Sequence, residues 1–308
     1  MRGLFLIVAV LFCTDIAAQE CKIAHCPVIL KDTLRGNRKI PVEIFYPEMN
    51  INDHNAIAVR NNQRYPLIFF AHGYLMKGSD YKPICDILVP EGFILVFLNS
   101  ETGLFPSHKV LAEDVSFAVD EITRLSLKRS FILFDKTDSK KCLMGHSMGG
   151  GSIFITANLK NNVDAIVALS PLKTKPSSVQ AASSVEIPTL IIAGSNDCIT
   201  PPGEHQVPIY NFSASHYKTY ILISGGTHCQ MGVTSSKCTT GEKMAGCKPA
   251  ISRNDQYAVL ARYLVPWLGY FLKGEKEEGV CFDLTLSADN TVTYMQSKPL
   301  SASAGKTQ

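Results

Sequence analysis

Short apolar segments alternate along this chain with segments of helical pattern, and this alternation constrains the fold more than any other feature. The apolar segments read "YPLIFFA", "GFILVFL", "KKCLMGH", "DAIVAL", "PTLIIAG" and "YKTYILI". Apolar, β-branched and aromatic runs of this length are typical of strands in a parallel sheet buried on both faces. We therefore predict an α/β fold with a mostly parallel central sheet that helices cover on both faces.

The segments between and around these strands complete the prediction. Helices are expected over residues 80–90, 108–129 and 149–160, and a final helix from about Asp255 to Leu272. Ahead of them, residues 28–47 alternate in polarity around a turn at 35–37, which predicts an N-terminal hairpin. The segment after Lys273 favours a last small strand pair before a Ser-rich end.

The N-terminus has the pattern of a secretory signal peptide. Arg2 precedes an apolar run, and small residues lead up to Ala18. The run is shorter than the roughly 20 residues that span a bilayer. We expect a signal peptide over residues 1–18, a catalytic domain over 19–285, and a partly disordered C-terminal tail over 286–308. The mature protein is then secreted and extracellular, with no transmembrane anchor.

Composition limits the classes of molecule that this protein is expected to bind. The 308 residues carry a net charge of only +3, and Lys and Arg are scattered along the chain, so no nucleic-acid partner is expected. The length suits one large domain, and we expect a monomer. None of the ten cysteines has the C-x-x-C spacing of a zinc site, so no metal site is expected.

The cysteines fit an oxidising compartment, in which most should pair. Loss of Cys13 with the signal peptide leaves an odd number, so at least one thiol stays free. Cys85 and Cys142 lie in apolar elements and are the best candidates for free thiols. Two pairs are close enough in sequence to bond locally, namely Cys21–Cys26 and Cys238–Cys247.

The stretch "GHSMG" over residues 145–149 fits G-x-S-x-G, in which a nucleophilic serine occupies a sharp turn between a strand and a helix. Glycines on both sides allow this tight bend because they have no Cβ. Ser147 is therefore the candidate nucleophile. A serine hydroxyl needs an adjacent base, and that base needs a group to orient it.

An acid and a histidine follow later strands in the order that this chemistry requires. Active groups gather at the carboxyl ends of parallel strands. Asp197 comes just after a strand that ends near Ala193, and His228 follows the next strand behind a glycine pair. The loop after the preceding strand, Ser170-Pro171, offers no carboxylate, which favours Asp197 as the acid.

Two backbone N–H groups are candidates for the oxyanion hole. One belongs to Met148, the residue after the nucleophile. The other belongs to the loop "FFAHGYLMKG", where we assign it to Tyr74. His72 in that loop and His146 beside the serine are interpreted as residues that shape the loop and pack.

Together these stretches resemble the α/β-hydrolase fold, and more narrowly the polyester hydrolase, lipase and cutinase group that includes bacterial polyethylene-terephthalate (PET) hydrolases. The resemblance extends over about residues 65–285, in "GHSMGGG", "IPTLIIAGSNDCITP", "HQVPIYNFS", "GGTHC" and "YAVLARYLVPWLGYFLKG". It implies that Ser147 is the nucleophile, His228 the general base and Asp197 its orienter. It also implies that Tyr74 and Met148 form the oxyanion hole and that the Tyr74 ring is one wall of the acyl cleft.

The resemblance further implies a Cys198–Cys229 disulfide that joins the acid loop to the histidine loop. The chain departs from the group at two places. Leu172 stands where cutinases carry a tryptophan, and the resemblance implies that Leu172 contacts the substrate in place of that aromatic wall. Residues 232–250 form an insertion after the histidine. Residues 171–186 are too few for a helical lid domain, so we expect no lid and an open, shallow cleft that suits bulky or extended esters.

The resulting prediction is a secreted serine carboxylester hydrolase that acts through an acyl-enzyme, without a cofactor, on a lipid or polyester-like ester. The stretch "FAHGYLMKGSDY" is also similar to chlorophyllases and to secreted platelet-activating-factor acetylhydrolases. A phospholipid acyl hydrolase is therefore one alternative. The other is a non-catalytic binding protein on the same fold, although such proteins typically lose the nucleophile or the histidine.

Overall fold

A computed structural model describes residues 22–48, 63–160, 162–234 and 236–299. The predicted signal peptide and Cys21 lie outside these residues. Within them the chain forms one mixed sheet of nine strands in the order β1-β2-β4-β3-β5-β6-β7-β8-β9. The strands are β1 Ile23–Asp32, β2 Arg38–Pro47, β3 Tyr65–Ala71, β4 Ile94–Leu98, β5 Thr137–His146, β6 Ala165–Leu169, β7 Thr189–Gly194, β8 Lys218–Ile223 and β9 Val292–Ser297.

The centre of the sheet is parallel. Strands β3 to β8 pair with their neighbours in parallel register. The β1–β2 hairpin at one edge and β9 at the other pair antiparallel. Every residue of β3 and β4 is buried, as their uninterrupted apolar sequences predict. The predicted fold class and hairpin are confirmed.

Helices cover both faces of this sheet. They are α1 Lys82–Leu88, α2 His108–Leu125, α3 Met148–Leu159, α4 Ser178–Ala182, α5 Gln206–Phe212, α6 Ser236–Ala245, α7 Arg253–Leu268 and α8 Lys276–Ala288. Phe69 of β3 packs in a core cluster with α2–α5, whereas its neighbours Ile68 and Phe70 pack in a second cluster with α1, α7 and α8. This alternation follows from the two-residue period of a strand.

The last part of the chain differs from the prediction. A π-helical turn over Gly269–Lys273 follows α7, and α8 then forms where a strand pair was expected. Phe282 and Leu286 are the buried side chains of α8, and their spacing of four residues is the period of a helix. Only one strand follows, β9, which pairs with β8. No helix among the described residues has the length and apolarity to cross a membrane.

Candidate active site

Ser147 lies in the turn between β5 and α3, with φ 55° and ψ −120°. A positive φ is uncommon for a residue other than glycine, and it persists only where the surroundings enforce it. Here the Ser147 N–H donates to the Leu169 carbonyl at 3.0 Å, and the Ser147 carbonyl accepts from Leu172 N at 2.9 Å and from Gly151 N at 3.0 Å. The backbone on both sides therefore holds the strained turn in place.

The two glycines of the motif are required by close contacts. A Cβ on Gly145 would lie 2.7 Å from the carbonyl carbon of Gly149. A Cβ on Gly149 would lie 2.2 Å from the Ala71 carbonyl oxygen. Helix α3 thus begins so close to β5 and β3 that no side chain fits between them.

His228 and Asp197 meet at the carboxyl ends of β8 and β7. The Nδ1 atom of His228 lies 2.8 Å from Oδ2 of Asp197, and both side chains are almost fully buried. The two loops that carry them are joined directly, because Asn196 N donates to the Gly226 carbonyl at 2.9 Å. The structure therefore brings the predicted acid and base into hydrogen-bond contact.

Desolvation by burial acts to raise the pKa of Asp197. The His228 imidazole outweighs it, together with the hydrogen bond from the Thr200 N–H, so the pKa of Asp197 lies below its ordinary value. The carboxylate is ionised at neutral pH. An ionised carboxylate at this position favours the tautomer of His228 that carries its proton on Nδ1.

Tyr74 lies in the loop after β3 and lines the same cavity as Ser147. Its ring is half exposed, and its hydroxyl donates to the Leu104 carbonyl at 2.9 Å. Met148 is the first residue of α3, and its side chain is buried in the core. The assignment of their N–H groups to an oxyanion hole stays a prediction. Each ring nitrogen of His72 lies 2.7 Å from a carbonyl oxygen, of Gly73 or Ser100, which fits its predicted role in shaping the loop.

One cavity of about 210 Å³ is lined by both Ser147 and His228. Its lining comprises Gly73, Tyr74, Leu75, Met76, His146, Ser147, Ile199, His228, Cys229, Lys237, Cys238 and Gly241. The predicted nucleophile, the predicted base and Tyr74 therefore line the same cavity. Leu172, predicted as a substrate contact, does not line it: its backbone is bound to Ser147, and its partly buried side chain packs against the core cluster of the α2–α5 face.

Residues 57–278 match the protein family described as PET hydrolase-like, and this match covers most of the chain. The chain belongs to the PET hydrolase-like family. The predicted membership of the polyester hydrolase and cutinase group within the α/β-hydrolase fold is confirmed. The expectation of a carboxylic ester hydrolase is confirmed at the level of this family.

Curated relatives of this family member include cutinases. Cutinase 1 of Thermobifida cellulosilytica is 27% identical over 222 residues, which cover 71% of this chain and 80% of the relative. The cutinase of Thermobifida fusca (strain YX) is also 27% identical, over 71% of this chain and 69% of its own length. A bis(hydroxyethyl) terephthalate hydrolase of Streptomyces coelicolor is 26% identical over 67% of this chain and 56% of its own length.

The two disulfides of this PET hydrolase-like protein differ from the pairings predicted for Cys198, Cys229, Cys238 and Cys247. Cys198 bonds to Cys247, and Cys229 bonds to Cys238. A Cys238–Cys247 bond is excluded because α6 separates the two residues by roughly 10 Å, at 1.5 Å per helical residue, and bonded cysteines have Cα atoms about 4.4–6.8 Å apart. The predicted Cys198–Cys229 bond is wrong, because Cys198 is bonded to Cys247 beyond the end of α6 and Cys229 to Cys238 near its start.

Among the other described cysteines, Cys85 and Cys142 agree with the prediction, whereas Cys281, which was not predicted to be free, is a free and exposed thiol on α8. Cys85 and Cys142 are free and buried, as their apolar surroundings indicate. Burial raises the pKa of both thiols, so neither is a reactive thiolate at neutral pH. The predicted Cys21–Cys26 bond involves Cys21, which lies outside the described residues, and that pairing stays a prediction.

Sequence reasoning missed Thr200, which completes the hydrogen bonding of the acid. Its hydroxyl lies 3.0 Å from both Asp197 Oδ2 and His228 Nδ1, and its N–H donates to Asp197 Oδ1 at 2.8 Å. The N–H of Ile199 donates to the same Oδ1 at 3.1 Å. An aspartate that caps the backbone two and three residues later is a recognisable local turn, so "DCIT" carried a signal for this role.

Sequence reasoning also missed Tyr81, and it treated His146 as packing only. The rings of His146 and His228 lie 4.5 Å apart, and Tyr81 binds His146 through its hydroxyl at 2.8 Å. Burial and the adjacent His228 ring hold the pKa of His146 well below its ordinary value, so it stays neutral. No pattern in the sequence points to Tyr81, because the contact joins the 3₁₀ turn before α1 to the end of β5.

Proposed function

We propose that this protein is a secreted serine carboxylester hydrolase that acts through an acyl-enzyme intermediate. The observation that carries the proposal is the 2.8 Å contact between His228 Nδ1 and Asp197 Oδ2, in a site where His228 and the strained Ser147 line the same cavity. A serine, a histidine and a buried carboxylate in this arrangement are the groups that acyl transfer needs.

The reaction proceeds in two displacements at the ester carbonyl. Ser147 Oγ attacks the carbonyl carbon while Nε2 of His228 takes the hydroxyl proton, and the carbonyl π electrons move onto the oxygen. The N–H groups of Tyr74 and Met148 stabilise that oxyanion. Collapse of the intermediate breaks the bond to the alcohol, which leaves with the proton from His228. Water then attacks the acyl-enzyme carbonyl and gives a proton to His228. Collapse of this second intermediate breaks the bond to Ser147 Oγ, which takes that proton back from His228, and the carboxylic acid is released.

Asp197 supports each proton transfer without itself becoming protonated. It accepts the Nδ1 proton of His228, which leaves Nε2 with a free lone pair toward the serine. Its negative charge then stabilises the imidazolium that forms when His228 takes the serine proton. Hydrogen bonds from Thr200 fix the carboxylate, so its orientation does not have to be found during the reaction.

The substrate we propose is a lipid or polyester-like ester. The cutinase and bis(hydroxyethyl) terephthalate hydrolase relatives support an ester substrate by their names. The cavity supports it by its chemistry, because much of its lining is apolar, with Leu75, Met76 and Ile199 beside the reactive groups. Such a lining favours the apolar part of an ester over a charged peptide or sugar.

Secretion is supported by the disulfides and by the signal-peptide pattern of residues 1–18. Two disulfides lie beside Asp197 and His228, and such bonds form and persist mainly in oxidising compartments. Asn211 of the sequon Asn211-Phe212-Ser213 is exposed on α5 and is open to glycosylation there. Expression in a eukaryotic host, with N-terminal sequencing of the protein from the medium, tests this part; we expect the mature chain to begin at Gln19 and to elute as a monomer.

The catalytic proposal is tested with a fluorophosphonate probe and a panel of 4-nitrophenyl esters. We expect the wild-type protein to hydrolyse the esters and to be labelled at Ser147, and Ser147→Ala to lose both properties. His228→Ala should retain the fold and lose most of the labelling rate. Labelling that persists in Ser147→Ala, or hydrolysis that persists in both variants, would contradict the proposal.

A further inference from the structure

Helix α6 lies against the catalytic cavity and forms part of its lining. It belongs to the insertion over residues 232–250, and three of its residues, Lys237, Cys238 and Gly241, line the same space as Ser147 and His228. The short link between β6 and β7 provides no lid domain, as predicted. The cleft is nevertheless bounded on one side, because this helix lies where an open surface was expected.

Both ends of α6 are covalently attached to the loops that carry the acid and the base. Near its start, Cys238 bonds to Cys229, the residue after His228. Just beyond its end, Cys247 bonds to Cys198, the residue after Asp197. The helix is thus held at two points to the carboxyl ends of β7 and β8, so its position relative to the reactive groups is fixed.

A buried carboxylate adds to this attachment, and α7 holds the histidine loop to which α6 is bonded. The Glu242 carboxylate accepts a hydrogen bond from the Cys229 N–H at 2.7 Å, and its side chain is buried. Arg253 of α7 donates to the carbonyls of Cys229 and Gly232, and the Tyr257 hydroxyl donates to the Gly232 carbonyl as well. A helix held by two disulfides and a buried carboxylate is a fixed wall of the site and not a lid that opens.

Gly241 is the α6 residue that lines the cavity without a side chain. A Cβ added there would meet only the Cδ1 atom of Ile199, at 3.9 Å, which is ordinary van der Waals contact. Ile199 lies on the acid loop between Cys198 and Thr200, and Gly241 lies on α6. The two residues therefore line the same cavity from two different segments of the chain. The width of the space at this point depends on the absence of a side chain at 241 and on the size of the side chain at 199.

The cavity volume sets a scale for what fits. A closed apolar cavity of about 150 Å³ holds one benzene ring, and the space beside Ser147 measures about 210 Å³. Its apolar walls are Leu75, Met76, Ile199 and the Cys229–Cys238 disulfide. One ring or a short branched chain therefore fills it, whereas a longer chain must leave through the open side.

We propose that α6 is a specificity wall, and that Gly241 and Ile199 together limit one substituent of the ester to a compact apolar group of about one ring. The inference rests on the proposed function, since it concerns the substrate of the same site. It adds to that function the size and polarity of the group that the site accepts beside the nucleophile.

The test compares two variants that change the wall in opposite directions. Gly241→Leu adds a side chain toward Ile199; the backbone at 241 is helical and not left-handed, and leucine is a better helix former than glycine, so we expect the variant to fold. Ile199→Ala enlarges the same space. Lys243→Ala, at an exposed position of the same helix, is the matched control.

Each variant is assayed with 4-nitrophenyl acetate, benzoate and dodecanoate, and with acetate esters of ethanol, benzyl alcohol and dodecanol. One of the two series places its variable group under α6. In that series we compare kcat/KM for the ring-bearing ester with kcat/KM for the smallest ester, and we expect Gly241→Leu to lower this ratio by about tenfold or more. Ile199→Ala should raise the ratio for the dodecyl or dodecanoyl ester, and Lys243→Ala should match the wild type.

The outcomes separate this inference from the proposed function. A wild-type protein that hydrolyses none of the esters and takes no fluorophosphonate label would overturn the proposed function, and the inference with it. If the wild-type protein is active and the kcat/KM ratios of Gly241→Leu and Ile199→Ala equal those of the wild type in both series, the specificity wall alone is overturned. Circular dichroism confirms that each variant is folded before its ratios are compared.

Discussion

The Tyr81 hydroxyl lies 2.8 Å from Nδ1 of His146, and the N–H of Gly73 donates to that hydroxyl at the same distance. The one phenolic group thus joins the loop after β3 to the residue that precedes the nucleophile. Gly73 precedes Tyr74, the proposed oxyanion donor, and the His146 ring packs against His228. Burial raises the pKa of Tyr81, so it remains a neutral donor and acceptor throughout the working pH range.

We predict that Tyr81→Phe lowers kcat more than its effect on stability explains. The change leaves the buried Gly73 N–H and His146 Nδ1 without their partner, which costs about 1–3 kcal/mol of folding free energy. It also releases the loop that positions Tyr74. Tyr263→Phe is the matched control, because Tyr263 is likewise buried and donates to Asp289 at 2.9 Å, away from the cavity.

Denaturant unfolding and steady-state kinetics of both variants check this prediction. Both should lose stability, and only Tyr81→Phe should lose kcat, by about tenfold or more, if a positioning hydrogen bond is worth about 1.4 kcal/mol in the transition state. Equal kinetic effects in the two variants would show that Tyr81 supports only the fold.

A second prediction concerns the carboxylate that orients the base. Asp197→Asn should keep the fold and lower kcat by about 10⁴, because the asparagine amide favours the wrong tautomer of His228. Thr200→Val is a graded comparison, since it removes a hydroxyl that binds both groups and leaves the carboxylate in place. We expect its kcat to lie between those of the wild type and Asp197→Asn. An Asp197→Asn variant with near-normal kcat would mean that another acid serves His228.

The depressed pKa of Asp197 predicts a pH dependence of stability with a definite sign. As the pH falls, the unfolded chain takes up a proton at its ordinary value of 3.8, before the folded protein does. The stabilisation is therefore complete above that value and is lost as the pH falls through the lower folded pKa. The difference in melting temperature between wild type and Asp197→Asn should shrink on acidification below the ordinary value. A difference that grew there would contradict the assignment.

The strands and the Asp197–His228 contact could be predicted, because apolar runs mark the strands and both residues follow the carboxyl ends of neighbouring parallel strands. The fully apolar runs indicated β3 to β8, and the positions just after β7 and β8 indicated Asp197 and His228. The predicted strand pair after Lys273 was wrong because the spacing of apolar residues there fits both a strand and a helix. The stretch "FDLTLSA" alternates like a strand, yet Phe282 and Leu286 face the core at a helical interval. Sequence reasoning also failed for the disulfides, because partners depend on where α6 lies in space, and cysteine spacing carries no record of that position.

The two disulfides give a last prediction, in which stability and selectivity separate. In the chain-entropy account a bond stabilises according to the length of the loop that it closes. The Cys198–Cys247 bond has a sequence separation of 49 residues and the Cys229–Cys238 bond one of 9. Removal of the first by paired Cys→Ser changes should cost about 4 kcal/mol, and removal of the second about 2.5 kcal/mol.

The effect on substrate selectivity should run in the opposite order. The Cys229–Cys238 bond is itself part of the cavity wall, whereas neither Cys198 nor Cys247 lines the cavity. The variant that lacks Cys229–Cys238 should therefore be the more stable of the two and yet show the larger change in the ratio of benzoate to acetate hydrolysis. Urea unfolding and the ester panel measure both quantities on the same preparations. A selectivity change that simply followed the loss of stability would show that the disulfides act on the fold alone, and not on the shape of the space beside Ser147.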